Sequence, residues 1–275
     1  MYSRVYVEIT NICNLRCSFC HGHSRPPRQM SRDEFCRVLQ QLQGKTQYVY
    51  YHLMGEPLLH PQLPEFLSLA AQEGFRSVST TNGTLLDKCG DRLLTAGVHK
   101  VSISLHSFEA GQEAALKAYL QTVADFAGKA ARQGTVISLR LWNKGCDAGL
   151  NALTEALLRQ LLPGAWQENT RGYRIRDLLF LEWGDRFVWP DREAPETGVS
   201  PACYGLRDHF GILSDGTVVP CCLDSDGVID LGKVFTGELT DILASSRARA
   251  IAEGFRCRKV TEDLCRRCGY ATKFL

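Results

Sequence analysis

Along the first 185 residues the hydrophobic positions switch repeatedly between two spacings. Residues 4–10, RVYVEIT, carry apolar side chains at every second position, the period of a half-buried strand. Phe35, Val38, Leu39 and Leu42 then recur at helical spacing, and Ser31 followed by Glu34 forms a capping box for that helix. Further strands are predicted over 48–53 (YVYYHL), 76–81 (RSVSTT, ended by Asn82-Gly83), 100–105 (KVSISL), 136–141 (VISLRL) and 177–183 (DLLFLEW). Helices are predicted over about 62–73, 85–95, 110–132 and 149–162.

Six strand-then-helix units, less a clear final helix, predict an α/β fold. Their parallel strands cross over right-handedly and close into a full or partial barrel or an open sheet. Chemistry in such folds gathers at the carboxyl ends of the strands. Those ends here read TNICNLRC, MGEP, TTNG, SLHS, RLWN and EWGD. After Trp189 the texture changes. WPDREAPETGVSPAC reads as a connector, and LRDHFGILSDGTVVPCC as a hairpin turning at Asp215-Gly216. A helix over about 238–252 and the terminal LCRRCG complete a small second domain, so the expected division is 1–190 and 191–275.

Composition is ordinary for a globular chain, with 44% hydrophobic and 23% charged residues. No apolar run reaches the length of a membrane span, and the N-terminus lacks the apolar core of a signal peptide, so a soluble cytoplasmic protein is expected. A net charge of +2 argues against nucleic-acid binding over the whole surface. From Arg247 onward, however, Arg247, Arg249, Arg256, Arg258, Lys259, Arg266, Arg267 and Lys273 face only Glu253, Glu262 and Asp263.

Twelve cysteines change the picture. In a reducing compartment they favour metal or cluster ligation over disulfides. Cys36, Cys89 and Cys146 stand alone and are expected to be small buried apolar residues. Cys13, Cys17 and Cys20 fall within eight positions after the first strand, spaced CxxxCxxC. Three thiolates on one loop suit a four-iron cluster with one iron open. The alternative is zinc completed by His21 or His23.

CxxxCxFC after the first strand, with Phe19 before the last cysteine, resembles the signature of the radical S-adenosylmethionine (SAM) enzymes. MGEP at 54–57 is similar to that family's GGEP, with Met54 in place of the first glycine, and TTNG and SISLHS fall where the third and fourth strands of that fold end. The resemblance covers roughly residues 4–185. It implies a partial (β/α)6 TIM-like barrel, a SAM-binding [4Fe-4S] cluster on Cys13, Cys17 and Cys20, and a reductant such as flavodoxin or ferredoxin. Glu56 would accept from the SAM ammonium, and Gly55 would let the backbone come close. Asn82, Ser104 and Asn143 would hold the methionine carboxylate or the ribose, and Arg140 would pair with that carboxylate. The implied chemistry is reductive cleavage of SAM to a 5′-deoxyadenosyl radical that takes a hydrogen atom from substrate.

Cys203 and Cys221, followed by the CxxC of Cys265 and Cys268, resemble the twitch domain, the shortened relative of the SPASM domain. This implies a small C-terminal α+β iron–sulfur domain with an auxiliary [4Fe-4S] cluster. Four thiolates would close the cluster and make it an electron carrier. Cys222 is the alternative to Cys221, Cys257 is unassigned, and structural zinc is the alternative to the cluster. The basic tail would compensate the cluster's negative charge or recruit an anionic substrate, peptide or RNA.

The implied activity is that of a radical SAM oxidoreductase or maturase ending in two-electron oxidation or cross-linking of a small molecule or peptide. RNA modification is the other enzymatic alternative. Since nothing precedes the first strand, a peptide would need a partner protein or direct recognition. A non-catalytic binding module is the competing class, and the intact cysteine loop with Gly55-Glu56 argues against it. Glu182, Asp185, Arg186, Tyr204, Arg207 and His209 flank the expected pocket, each more simply structural than catalytic.

Overall fold

All six expected strands lie in one sheet of the computed structural model, which describes residues 1–109, 113–147, 150–198 and 202–274. In chain order the strands are β1 (Arg4–Val7), β2 (Tyr48–Tyr51), β3 (Arg76–Thr81), β4 (Lys100–Ser104), β5 (Val136–Lys144), β6 (Gln167–Asn169), β7 (Gly172–Arg176), β8 (Leu179–Asp185), β9 (His209–Ile212) and β10 (Val218–Val219). Their order across the sheet is β10-β9-β1-β2-β3-β4-β5-β8-β7-β6. From β1 through β5 to β8 every pairing is parallel, as the alternation predicts for a partial barrel.

Helices α1 (Arg32–Leu42), α2 (Leu63–Gln72), α3 (Leu86–Thr95), α4 (Glu113–Arg132) and α5 (Leu150–Leu161) follow the first five strands. The expected starts of the last two, at 110–112 and 149, fall outside the described residues. The capping box of α1 is formed in both directions between Ser31 and Glu34. Phe35, Val38, Leu39 and Leu42 bury its apolar face in one core with Val5, Val7, Val49 and Tyr51, and Phe35 stacks on Phe66 of α2 at 4.2 Å. Each such side chain contributes about 1.5–3 kcal/mol by leaving water. Strand side chains alternate between faces, so Tyr6, Tyr50, Lys100, Arg140 and Glu182 point away from this helix-covered core. They meet one another on the sheet's inner face.

Three features depart from the expectation. The hairpin β6–β7 extends the sheet antiparallel beyond β8. It is largely exposed and polar, so no apolar alternation announces it. Gly172 opens β7 because a Cβ there would stand 2.3 Å from the Leu181 carbonyl oxygen. Second, the Asp215-Gly216 hairpin forms, but β9 pairs in parallel with β1, from Arg4↔His209 to Val7↔Ile212. The C-terminal region therefore lends two strands to the barrel's own sheet. Third, the helix expected over 238–252 is two, α6 (Leu239–Leu243) and α7 (Ser246–Arg256), because Ser245 caps a new start by accepting from the Ala248 N–H. A final helix, α8 (Asp263–Arg266), carries Cys265.

The isolated cysteines correct one expectation. Cys146 is exposed, and Cys36 and Cys89 are only half-buried, Cys89 packing against the edge of the core. Half of the basic tail is paired locally: Arg247 with Glu262, Arg256 with Glu253, and Arg266 and Arg267 with Asp263. No helix among the described residues is long and apolar enough to cross a membrane.

Candidate functional site

The loop leaving β1 carries Cys13 and Cys20 exposed and Cys17 half-buried. Burial, then Glu109 and the two neighbouring thiols, push the Cys17 thiol up to about 12. The Cys13 thiol is raised by burial, with smaller contributions from Glu56 and Cys20. Protons on these sulfurs would be displaced on binding a cluster, since ligating thiols are deprotonated. Side chains from neighbouring strand ends hold the loop. The Asn82 amide donates to Asn14 Oδ1 at 2.9 Å, while Asn14 donates to Thr84 Oγ1 at 2.9 Å. Phe19 packs at 4.8 Å on His106, and its carbonyl accepts from the Trp189 indole N–H at 2.9 Å.

MGEP bends from β2 against this loop. At Gly55, φ is +77° and an added Cβ would lie 2.3 Å from the Thr10 carbonyl oxygen. The close approach that glycine permits here is to the cysteine loop's own backbone, and the next N–H, that of Glu56, donates to the Ile12 carbonyl at 2.8 Å. Glu56 is 2% exposed. Its carboxylate accepts from the backbone N–H of Leu58 at 3.0 Å and of Asn82 at 2.7 Å. Burial raises its pKa and those two donors pull it back. The buried Met54 gives its N–H to Glu8, so the position occupied by glycine in the resembling family is here part of the packed wall.

Arg140 and Glu182 face each other across β5 and β8, Nε to Oε2 at 3.9 Å, and Lys100 lies 4.0 Å from the same carboxylate. Arg140 stacks on Trp142, with its guanidinium carbon 4.4 Å from the ring centroid, and its Nε has no hydrogen-bond partner. His52 is held neutral, its pKa lowered to about 4 by burial and by Arg140. Yet His52, Lys100, Arg140 and Glu182 all keep some solvent-accessible surface. These half-buried polar side chains gather on the inner face of the sheet. Ser104 ends β4 at its rim. Asn143 is engaged elsewhere, accepting from the Asn151 amide at 2.9 Å. Of the other flanking residues, His209 packs edge-on to Tyr6 at 5.5 Å, and the Asp185 carbonyl accepts from Lys273. The Arg207 guanidinium lies over the Tyr204 ring.

The second thiol group converges from three segments. Burial raises the Cys221 thiol far above its ordinary value, and Cys222, Cys203, Cys265 and Cys268 raise it further. Cys265 responds to Cys203 and Cys268, and Cys268 to Cys203. Cys222 packs beside Tyr6 against Leu53, Leu213 and Val219, and burial raises its thiol to about 11. Cys257 stands apart, exposed, with its thiol 3.1 Å from Glu253 Oε1.

Do these donors fit iron–sulfur clusters? Among the described residues no three His, Cys, Asp or Glu side chains close around a single metal ion. The sulfurs are nevertheless near enough to shift one another's pKa. Thiolate sets of this kind ligate iron–sulfur clusters and zinc alike. Of the two histidines proposed for zinc, His21 stacks on Trp189, and His23 bonds through Nε2 to the Asn11 carbonyl while its Nδ1 is buried with no hydrogen-bond partner.

Sequence reasoning missed the residue that joins these parts. Glu8, with its side chain wholly buried, pairs with both terminal nitrogens of Arg25 at 2.8 and 2.7 Å. It also accepts from the Met54 N–H and from the Ser214 N–H and hydroxyl. One carboxylate thus ties β1, the return of the cysteine loop, the MGEP bend and the C-terminal hairpin. The available signal was a lone acid in the strand RVYVEIT.

A family model described as the Radical SAM superfamily matches residues 7–135, and one described as an iron–sulfur cluster-binding domain, SPASM, matches residues 203–269. The chain is 37% identical over 109 residues to the GTP 3',8-cyclase of Chlorobaculum tepidum, a stretch covering 38% of this chain and 33% of that protein. It is 36% identical over 106 residues to the probable GTP 3',8-cyclase of Sulfolobus acidocaldarius, covering 38% and 34%. The matched stretch spans about a third of the length of these relatives. Among solved structures, anSMEcpe with bound AdoMet and Kp18Cys peptide aligns with a TM-score of 0.66 and 13% identity, over 100% of this chain and 91% of that one. BtrN in complex with AdoMet and 2-DOIA aligns with a TM-score of 0.58 and 18% identity, over 98% and 93%. At these identities the structural likeness establishes a shared fold.

Proposed function

We propose, from the premise that this chain belongs to the radical SAM superfamily and is an enzyme of that class, that Cys13, Cys17 and Cys20 hold a [4Fe-4S] cluster beside which SAM binds. When bound, these groups supply reductive cleavage of SAM and a 5′-deoxyadenosyl radical that abstracts hydrogen from substrate, with an auxiliary [4Fe-4S] cluster accepting the electron of a net two-electron oxidation or cross-link. One observation carries the reading. The buried Glu56 carboxylate bears on the Cys13 thiol, and its own N–H is bonded to the cysteine loop. A cysteine loop and an acceptor for an ammonium therefore share one place.

The chain's own residues do the positioning. Glu56, already oriented by two backbone donors, offers its remaining lone pairs to the SAM ammonium, which relieves the cost of burying its charge. Arg140, with its free Nε–H, and Ser104 are assigned to the methionine carboxylate and ribose. Asn82 and Asn143, whose amides are engaged, hold the loops. Tyr6, His52, Lys100 and Glu182 line the sheet's inner face, which would receive a polar substrate and exclude bulk water. The names of the relatives make GTP one substrate to try.

The test is anaerobic reconstitution followed by incubation with SAM and reduced flavodoxin or ferredoxin. 5′-Deoxyadenosine and methionine should appear. Glu56→Ala should keep both clusters while SAM affinity falls roughly tenfold or more, through loss of a charge-assisted contact of about 1.5–3 kcal/mol. A colourless protein with stoichiometric zinc would overturn the proposal.

For the auxiliary cluster we assign Cys203, Cys221, Cys265 and Cys268, because Cys203 and Cys265 pack on the main core whereas Cys222 packs with Tyr6 on the separate Leu53, Leu213 and Val219 group. Cys221→Ser should cost about four irons per chain and Cys222→Ser none, measured by iron analysis. The reverse outcome would exchange the two ligands.

A further inference from the structure

Glu109, two residues beyond the 3-10 turn Leu105–Ser107 that follows β4, reaches over to the cysteine loop. Its two carboxylate oxygens lie 2.8 and 2.9 Å from the Ser18 N–H nitrogen, and one of them accepts the Ser18 hydroxyl at 2.6 Å. Ser18 stands between Cys17 and Cys20, so this carboxylate clasps the loop from outside the thiol group. After burial, it is also the strongest influence on the Cys17 thiol.

We propose that Glu109 sets the reduction potential of the N-terminal cluster low. This rests on Cys13, Cys17 and Cys20 being its ligands. The step concerned is uptake of one electron by the cluster from an external low-potential reductant such as flavodoxin or ferredoxin. Two effects act with the same sign. A negative charge beside the Cys17 thiolate opposes the arriving electron. The same carboxylate also occupies the Ser18 N–H and O–H, donors that could otherwise hydrogen-bond to sulfur and favour the more negative, reduced state. A lower potential makes the reduced cluster a stronger donor toward SAM, which is what reductive cleavage requires. Glu109 is exposed, so the charge effect is screened by salt. Glu109 touches no reacting atom and acts through the loop. It is a positioning and tuning residue.

The test is a redox titration of the reconstituted full chain followed by electron paramagnetic resonance. The N-terminal cluster is identified as the signal that changes when SAM is added. Glu109→Gln and Glu109→Ala should each shift its equilibrium toward the reduced form by up to about tenfold at low salt, which is 59 mV for a one-electron couple. The difference from the unaltered chain should shrink at high salt, and Glu109→Asp should restore most of the low potential. A SAM-responsive signal with an unchanged midpoint in both neutral variants overturns the proposal. So does loss of the cluster from both neutral variants with retention in Glu109→Asp at an unaltered potential, which would make Glu109 a holding residue only. If the unaltered chain shows no SAM-responsive signal, the ligand assignment fails instead.

Discussion

Replacing Cys13, Cys17 and Cys20 together with alanine should leave a reconstituted protein holding about four irons where the unaltered chain holds about eight, and should abolish SAM cleavage. The effect is large because all three thiolates assigned to the cluster are removed at once. The remaining irons should stay with the second thiol group, whose four sulfurs come from other segments. Iron and sulfide analysis beside a 5′-deoxyadenosine assay reads both halves of the result. Unchanged iron content in the triple variant would refute the assignment, as would continued SAM cleavage.

The second large effect is expected at Glu8. Glu8→Ala leaves the Arg25 guanidinium, 12% exposed, without its bidentate partner, and strips acceptors from the Met54 N–H and the Ser214 N–H and hydroxyl. Removing one member of a buried pair costs about 3–5 kcal/mol, because the other charge stays buried alone. For a chain of this size that lowers the unfolding midpoint by roughly 10 °C. Arg25→Ala added to Glu8→Ala should cost less than the sum of the two single changes, since the second removes a charge already unpaired. Unfolding of the four proteins in parallel measures this coupling. Additive losses, or a Glu8→Ala loss under about 1 kcal/mol, would show that Glu8 is not the junction described here.

Local signals in the sequence were sufficient for the parallel sheet. Each strand and helix up to Asp185, apart from the β6–β7 hairpin, follows from the apolar period, the Ser31/Glu34 capping box or a breaker such as Asn82-Gly83, all of which act within a few residues. The cysteine loop was legible for the same reason, because CxxxCxxC lies on one stretch of chain. So was the turn at Asp215-Gly216, whose Asp215 side chain accepts from the Thr217 N–H.

Tertiary structure decided the rest, and in each case the missing information was a partner distant in the chain. The sequence shows β9 as a strand, but its pairing with β1 joins residues about 200 positions apart, and no local period encodes that. Gly55 was expected to make room for SAM, and folding adds a separate requirement for glycine there, the Thr10 carbonyl 2.3 Å from where a Cβ would stand. Glu8 looked like one polar residue in a strand, and only folding brings Arg25, Met54 and Ser214 to its carboxylate. Cys221 and Cys222 are indistinguishable by spacing. Folding packs Cys222 with Tyr6 on Leu53, Leu213 and Val219, whereas Cys203 and Cys265 pack on the main core. Which residue types are present, and how they are spaced, thus determined the class of chemistry. Which atoms meet was decided by the sheet, because a carboxylate or thiol acquires its role from what desolvates it and what charges stand beside it.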